Sequence, residues 1–141
     1  MSRFLVTYAC SKPATYLIAS QFYGRMKNSG YPTSLSSANE VFSVEGFDAI
    51  ILLAELSHGQ VHQEGAELLD SFQSKFKTLP LWLYLCGSFH SGEGRRLWDS
   101  RSKTRLEPLL ERLDLQEVGY ISELDALHIS TPASAVKSLR A

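Results

Sequence analysis

The sequence predicts an α/β fold in which a parallel β-sheet is covered by helices on both faces. Three apolar runs without polar alternation, at 4–8, 47–54 and 79–86, are typical of strands that are buried on both faces. Segments with helical periodicity lie between these runs, and this alternation favours crossovers between parallel strands. A length of 141 residues fits one domain spanning 1–141.

The first part of the chain has the pattern of a strand, a tight loop, a helix and an edge strand. After the strand at 4–8, apolar residues recur at helical spacing from Thr15, and the Asn-Ser-Gly sequence at 28–30 supplies a helix stop. The spaced apolar residues are Leu17, Ile18, Phe22 and Met26. A short edge strand is predicted at 34–36, and a connection with at most one helical turn is predicted at 39–46.

The remaining elements continue the alternation. They are a strand at 47–54, a loop at 56–60, a helix at 61–76, a strand at 79–86, a polar loop at 87–103, an amphipathic helix at 104–113, short strands at 117–121 and 126–130, and a helix at 132–140. Parallel strands end at one edge of a sheet, so the loops at 9–14, 55–60 and 87–103 are expected to meet there. This edge is the predicted ligand site.

Composition argues against several classes of function. The net charge is −1 and no basic tract is present, so nucleic acid is not an expected partner. No apolar stretch is long enough for a membrane span, and the N-terminal run is too short for a secretory signal. A cytoplasmic location is therefore expected, in which Cys10 and Cys86 stay reduced, and both are interpreted as small buried residues.

The loop after the first strand lies where a phosphate group would bind. Free N–H groups and a partial positive charge at the start of a helix attract anions. Ser11 and Thr15 offer hydroxyl groups and Lys12 offers a cation, with Thr15 expected at the N-cap or in the first helical turn. Pro13 removes one N–H group from this loop.

Three segments resemble those of flavodoxin-like proteins, most closely the flavodoxin-domain menaquinone-dependent protoporphyrinogen oxidases. They are the loop and helix start at 8–19, the strand and Ser-His-Gly-containing loop at 48–62, and the Leu-Cys-Gly-Ser sequence at 85–88. The resemblance implies a flavodoxin-like three-layer sandwich with five parallel strands in the order 2-1-3-4-5. It also implies FMN as cofactor and an oxidoreductase or electron-transfer role, with a redox partner protein, a quinone or a porphyrin-type substrate.

The predicted cofactor-binding residues come from all three loops. They are Cys10, Ser11, Lys12, Ala14, Thr15, Leu56, Ser57, His58, Gly59, Gly87, Ser88, Phe89 and His90. Flat side chains at His58, Phe89, His90 and Trp98 are candidates to approach the flavin ring, which the resemblance places at loops 56–62 and 87–98. Glycines at 59, 87 and 92 permit close approach of the backbone. No catalytic side chain is predicted, because the cofactor supplies the redox chemistry.

Other interpretations of the same residues are weaker. His58 and His62 have the spacing of a metal pair on a helix, but no acidic residue completes the motif. Ser57, Ser88 and His90 lack the setting of a hydrolase nucleophile, and the paired acidic residues of a response-regulator receiver are absent after the first strand. The basic residues between Arg95 and Arg105 indicate either a solvated loop or a docking patch.

One alternative stays open for the loop that precedes the first helix. Pro13 stands where the resembled family has glycine, and Cys10 and Lys12 replace hydroxyl residues. The alternative is a binding or regulatory module of the same fold whose altered phosphate loop no longer binds flavin.

Overall fold

A computed structural model of the chain describes residues 2–73, 78–89 and 106–123. The strands are β1 (Phe4–Ala9), β2 (Thr33–Ser37), β3 (Ala49–Ser57), β4 (Gln60–Val61), β5 (Leu81–Gly87) and β6 (Leu115–Ser122), and the helices are α1 (Pro13–Asn28) and α2 (Gln63–Ser71). A 3-10 turn lies at Ala38–Glu40, and residues 106–110 are helical. The strand predicted at 126–130 and the helix predicted at 132–140 lie outside the described residues, as does most of the loop predicted at 87–103.

The main sheet has the strand order β2-β1-β3-β5-β6, and each neighbouring pair is parallel. This is the predicted order 2-1-3-4-5. The fourth and fifth strands of that order are numbered β5 and β6 here, because the short strand β4 comes before them in the chain. β4 lies off the main path and pairs antiparallel with the end of β3. The predicted sheet is therefore confirmed, although the described part of the chain has six strands rather than five.

Helices pack on both faces of this sheet. On one face Ile18, Phe22 and Met26 of α1 lie in a buried cluster with residues such as Phe4 of β1. On the other face Leu69 of α2 packs with a second cluster that also contains Leu106, Leu110 and Leu113. Residues 49–56 of β3 and all of β5 are buried. Burial on both sides explains why 49–54 and most of β5 form apolar runs in the sequence.

The start of α1 differs from the prediction by two residues. The helix begins at Pro13 rather than Thr15, and Lys12 is its extended N-cap residue. Proline suits the first helical position because its fixed φ is helical and the N–H group it lacks has no partner there. Thr15 thus lies in the first turn.

The segment predicted as the loop 56–60 and the start of a helix at Val61 is a hairpin instead. β3 continues to Ser57, and Leu56 pairs with Val61 while Ser57 pairs with Gln60. His58 and Gly59 form the two-residue turn with φ of 52° and 75°, the left-handed region that such turns require. α2 therefore begins only at Gln63, after the hairpin. Among the described helices, none is both long and apolar enough to cross a membrane.

Candidate functional site

A cavity of about 600 Å³ lies at the carboxyl ends of the central strands. It is bounded by the loop between β1 and α1, by the hairpin of β3 and β4, and by the end of β5. The predicted site residues that line it are Lys12, Leu56, Ser57, His58, Gly59, Gly87, Ser88 and Phe89. Parallel strands bring these three segments together although they are far apart in the sequence, as predicted.

The loop between β1 and α1 is held by a carboxylate. The backbone N–H and the side-chain hydroxyl of Ser11 both donate to Oε2 of Glu55, at 2.7 and 2.9 Å. Glu55 lies on β3 and is 5% exposed. Two of the groups expected to donate to a phosphate are therefore already bound to an anionic oxygen of the same chain.

The first turn of α1 keeps other donors. Ala14 and Thr15 are its second and third residues, and their N–H groups have no acceptor four residues back within the helix. Thr15 is 1% exposed, and its hydroxyl oxygen has no hydrogen-bond partner among the described residues. A buried hydroxyl without a partner costs free energy. Like Ser11 and Ala14, Thr15 does not line the cavity.

Cys10 is half-buried rather than fully buried as predicted, whereas Cys86 is buried as expected. Burial raises the pKa of the Cys10 thiol, a hydrogen bond from the Tyr16 backbone opposes that rise, and Glu55 and other nearby carboxylates add to it. Both cysteines are free thiols. Cys10 is therefore a largely protonated group beside the loop, and it does not line the cavity.

The end of β5 approaches the hairpin closely. A Cβ atom at residue 87 would lie 2.7 Å from the backbone oxygen of Leu56 and 2.8 Å from the ring of Phe89. Only glycine fits at this point, because the backbone of Gly87 approaches Leu56 of the same chain. The predicted approach of this glycine to a flavin ring stays a prediction. The Phe89 ring is 4% exposed and belongs to the core, and the residue also lines the cavity. Its predicted approach to a flavin ring stays a prediction.

A second carboxylate, that of Glu123, also lines the cavity. Glu123 accepts a hydrogen bond from the Ser88 hydroxyl at 2.8 Å. The preceding Ser122 donates from its hydroxyl to the Phe89 carbonyl. These bonds connect the residues after β5 to the end of β6.

Sequence reasoning missed both carboxylates. Glu55 had a usable signal, because it is the one charged residue within the apolar sequence of β3. Glu123 had none, since it is one of several charged residues near the end of the chain. His90, Gly92, Trp98 and the basic residues between Arg95 and Arg105 lie outside the described residues.

The metal interpretation of the two histidines finds no support. His62 is the N-cap residue of α2, and its Nδ1 accepts a hydrogen bond from the Glu64 backbone at 3.2 Å. His58 is in the hairpin turn, so the pair does not share a helix. In the described ranges no group of three or more His, Cys, Asp or Glu side chains is placed to hold a metal ion.

Comparison with known proteins shows that the fold is flavodoxin-like. No family model matches the sequence, and the search of curated proteins found no match. A short-chain flavodoxin associated with a PDU bacterial microcompartment superposes with a TM-score of 0.69 at 14% identity, covering 98% of this chain and 99% of that one. A Megasphaera elsdenii flavodoxin, solved in its two-electron reduced form, has a TM-score of 0.64 at 16% identity over 84% and 85% of the chains.

A third similar structure carries the cofactor that the sequence resemblance implies. It is a Fusobacterium nucleatum flavodoxin bound to FMN, with a TM-score of 0.60 and 17% identity over 84% of this chain and 70% of that one. In this chain the volume of the cavity and the Lys12 cation that lines it suit a flavin with a phosphate group. The Ser11 donors fit only when Glu55 releases them.

Proposed function

We propose that this chain is an FMN-binding, flavodoxin-like protein that transfers electrons. The observation that carries the proposal is the cavity at the carboxyl ends of β1, β3 and β5, where open α/β sheets bind their ligands. A volume of about 600 Å³ is in the usual range for a small-molecule or cofactor site. FMN in one similar flavodoxin, and the reduced state of another, support this choice of ligand and role.

Each part of the cavity has a proposed task. Lys12 and the first-turn N–H groups of Ala14 and Thr15 hold the phosphate, with Cys10 and Ser11 completing their loop. Leu56, Ser57, His58 and Gly59 border the flavin ring on one side, and Gly87, Ser88 and Phe89 on the other, with His90 as the next residue. The bound flavin would supply the redox chemistry, while these residues orient it and limit its contact with water.

Titration of the cofactor-free protein with FMN tests the proposal. We expect saturable changes in flavin absorbance and fluorescence and a rise in the thermal unfolding temperature, because a ligand of the native state stabilises it. Adenosine monophosphate, which carries a phosphate but no flavin ring, is the control and should do neither. A protein that leaves the FMN spectrum unchanged and gains no stability would be the binding or regulatory module with an altered phosphate loop.

The proposal also includes candidate electron acceptors. The resemblance of 48–62 and 85–88 to the protoporphyrinogen oxidases supports a quinone or a porphyrin-type substrate, or a redox partner protein. A cytoplasmic location is part of the same proposal. Reduced, FMN-loaded protein mixed with a soluble quinone without oxygen should regain the absorbance of oxidised flavin. If the flavin stays reduced, quinone is excluded as the acceptor.

A further inference from the structure

The position of Glu55 is unusual for a charged side chain. It lies near the end of the central strand β3, where the preceding residues from Ala49 to Ala54 are buried and uncharged. Its Oε2 accepts both hydrogen bonds of Ser11, and these come from the loop that precedes α1. A buried carboxylate needs such donors, since burial without them is costly.

A phosphate bound at this loop would need the same groups. Carboxylate and phosphate oxygens both take charge-assisted hydrogen bonds from N–H and hydroxyl donors. The two donors of Ser11 cannot serve Glu55 and a phosphate fully at once. The two negative charges would also repel each other in a part-buried site, where solvent screens charges less than in bulk water.

We propose that Glu55 is a specificity-determining residue that competes, as an anion attached to the chain, with the phosphate of an incoming flavin for Ser11. This inference rests on the proposed function. Competition from Glu55 lowers the affinity for FMN, which carries the phosphate. The preference of the site for FMN over riboflavin is therefore smaller than the hydrogen-bond donors of the loop would produce without Glu55. Riboflavin ends in a hydroxyl group, which can donate to the Glu55 carboxylate instead of competing with it.

The matched variants are Glu55→Gln and Glu123→Gln. The first keeps the size of the side chain and an oxygen acceptor for Ser11 but removes the charge. The second removes the same charge from the same cavity at a carboxylate that binds Ser88, not Ser11. We expect Glu55→Gln to raise FMN affinity by at least about tenfold while riboflavin affinity changes by less than about threefold. Glu123→Gln should leave the ratio of the two affinities close to that of the unaltered protein.

Inorganic phosphate supplies a readout that needs no flavin. In thermal unfolding, phosphate compared with chloride at equal ionic strength should stabilise Glu55→Gln more than it stabilises the unaltered protein. Ser11→Ala covers the case in which Glu55→Gln does not fold. Because the hydroxyl is lost equally to Glu55 and to phosphate, FMN affinity should change by less than about threefold in this variant. A tenfold loss would show that the hydroxyl serves phosphate without competition, which overturns the inference.

The outcomes separate the two proposals. If the unaltered protein binds FMN and Glu55→Gln does not shift the preference between FMN and riboflavin, the proposed function stands and the competition is wrong. An equal shift in Glu123→Gln also overturns it, since general charge would then be the cause. If no variant binds flavin but phosphate stabilises Glu55→Gln more than the unaltered protein, the flavin proposal fails and the competition for Ser11 stands. If phosphate affects the two proteins equally and no flavin binds, both proposals fail.

Discussion

A Cβ atom at Gly87 would conflict with the backbone of Leu56 as well as with the Phe89 ring. Backbone cannot move aside as the end of a flexible side chain can, so we expect Gly87→Ala to lower the free energy of unfolding by about 1–3 kcal/mol. The change should also weaken FMN binding, because the hairpin and the end of β5 border the same cavity.

Gly24→Ala is the matched control for this substitution. Gly24 is within α1, and a Cβ atom there would meet nothing within 4 Å. Alanine in a helix interior should raise the free energy of unfolding by up to about 1 kcal/mol. Urea denaturation of both variants measures the two effects, and a Gly87→Ala protein as stable as Gly24→Ala would contradict the close contact at β5.

The two cysteines should differ in their reaction with iodoacetamide. Burial raises the pKa of both thiols, and Cys86 is fully buried within β5. Because the reactive form is the exposed thiolate, we expect Cys10 to be labelled slowly at pH 8 and Cys86 to be at least about tenfold slower. Peptide mass spectrometry distinguishes the sites, and denatured protein, in which both react, is the control. Equal native labelling would refute this difference in burial.

The candidate site was predictable at the level of residues only in part. Ser11, Lys12 and Thr15 are predicted to bind an anion because hydroxyl and cationic residues lie at the start of a helix, and of these Lys12 lines the cavity. The partner of Ser11 could not be predicted, since its hydrogen bonds to Glu55 join residues 44 positions apart. Only the folded arrangement of β1 beside β3 makes that hydrogen bond.

At the scale of elements, β1, β3 and β5 could be predicted because burial on both faces gives each strand a run of apolar residues without polar alternation. The hairpin that carries His58 and Gly59 was missed, because two-residue β4 is too short to show a periodic pattern. The start of α1 was placed two residues late, since the apolar spacing begins after the first turn while Pro13 already has helical geometry. Boundaries thus depended on turn and cap geometry that hydrophobic periodicity does not encode.

For the whole molecule, the order of strands was predicted correctly because few arrangements satisfy a chain of alternating strands and helices. The resemblance of three short segments selected one of these arrangements. The same arrangement places the ends of β1, β3 and β5 side by side and so forms the cavity. The location of the candidate site could be predicted from the strand order. The two carboxylates in it, those of Glu55 and Glu123, become evident only from the packing of the folded chain.

The stability of the whole molecule should depend on Tyr84 at alkaline pH. The Tyr84 hydroxyl donates to Glu117 at 2.8 Å, which joins β5 to β6. Burial, with the hydrogen bond and charge of Glu117, raises the pKa of Tyr84 well above its usual value. The unfolded chain releases this proton near pH 10 while the native protein keeps it. Unfolding therefore releases a proton above that pH, and the free energy of unfolding must fall as pH rises.

Tyr84→Phe removes this source of pH dependence. Below about pH 9 the variant should be less stable than the unaltered protein by about 1–2 kcal/mol, because the hydrogen bond to Glu117 is lost. Above about pH 10 the difference in free energy of unfolding between the two proteins should narrow by up to about 1.4 kcal/mol per pH unit. The reason is that only the unaltered protein loses the contribution of the Tyr84 hydroxyl. Urea denaturation at several pH values between about 8 and 11 measures both curves. A constant difference across that range would show that Tyr84 ionises alike in the native and unfolded states.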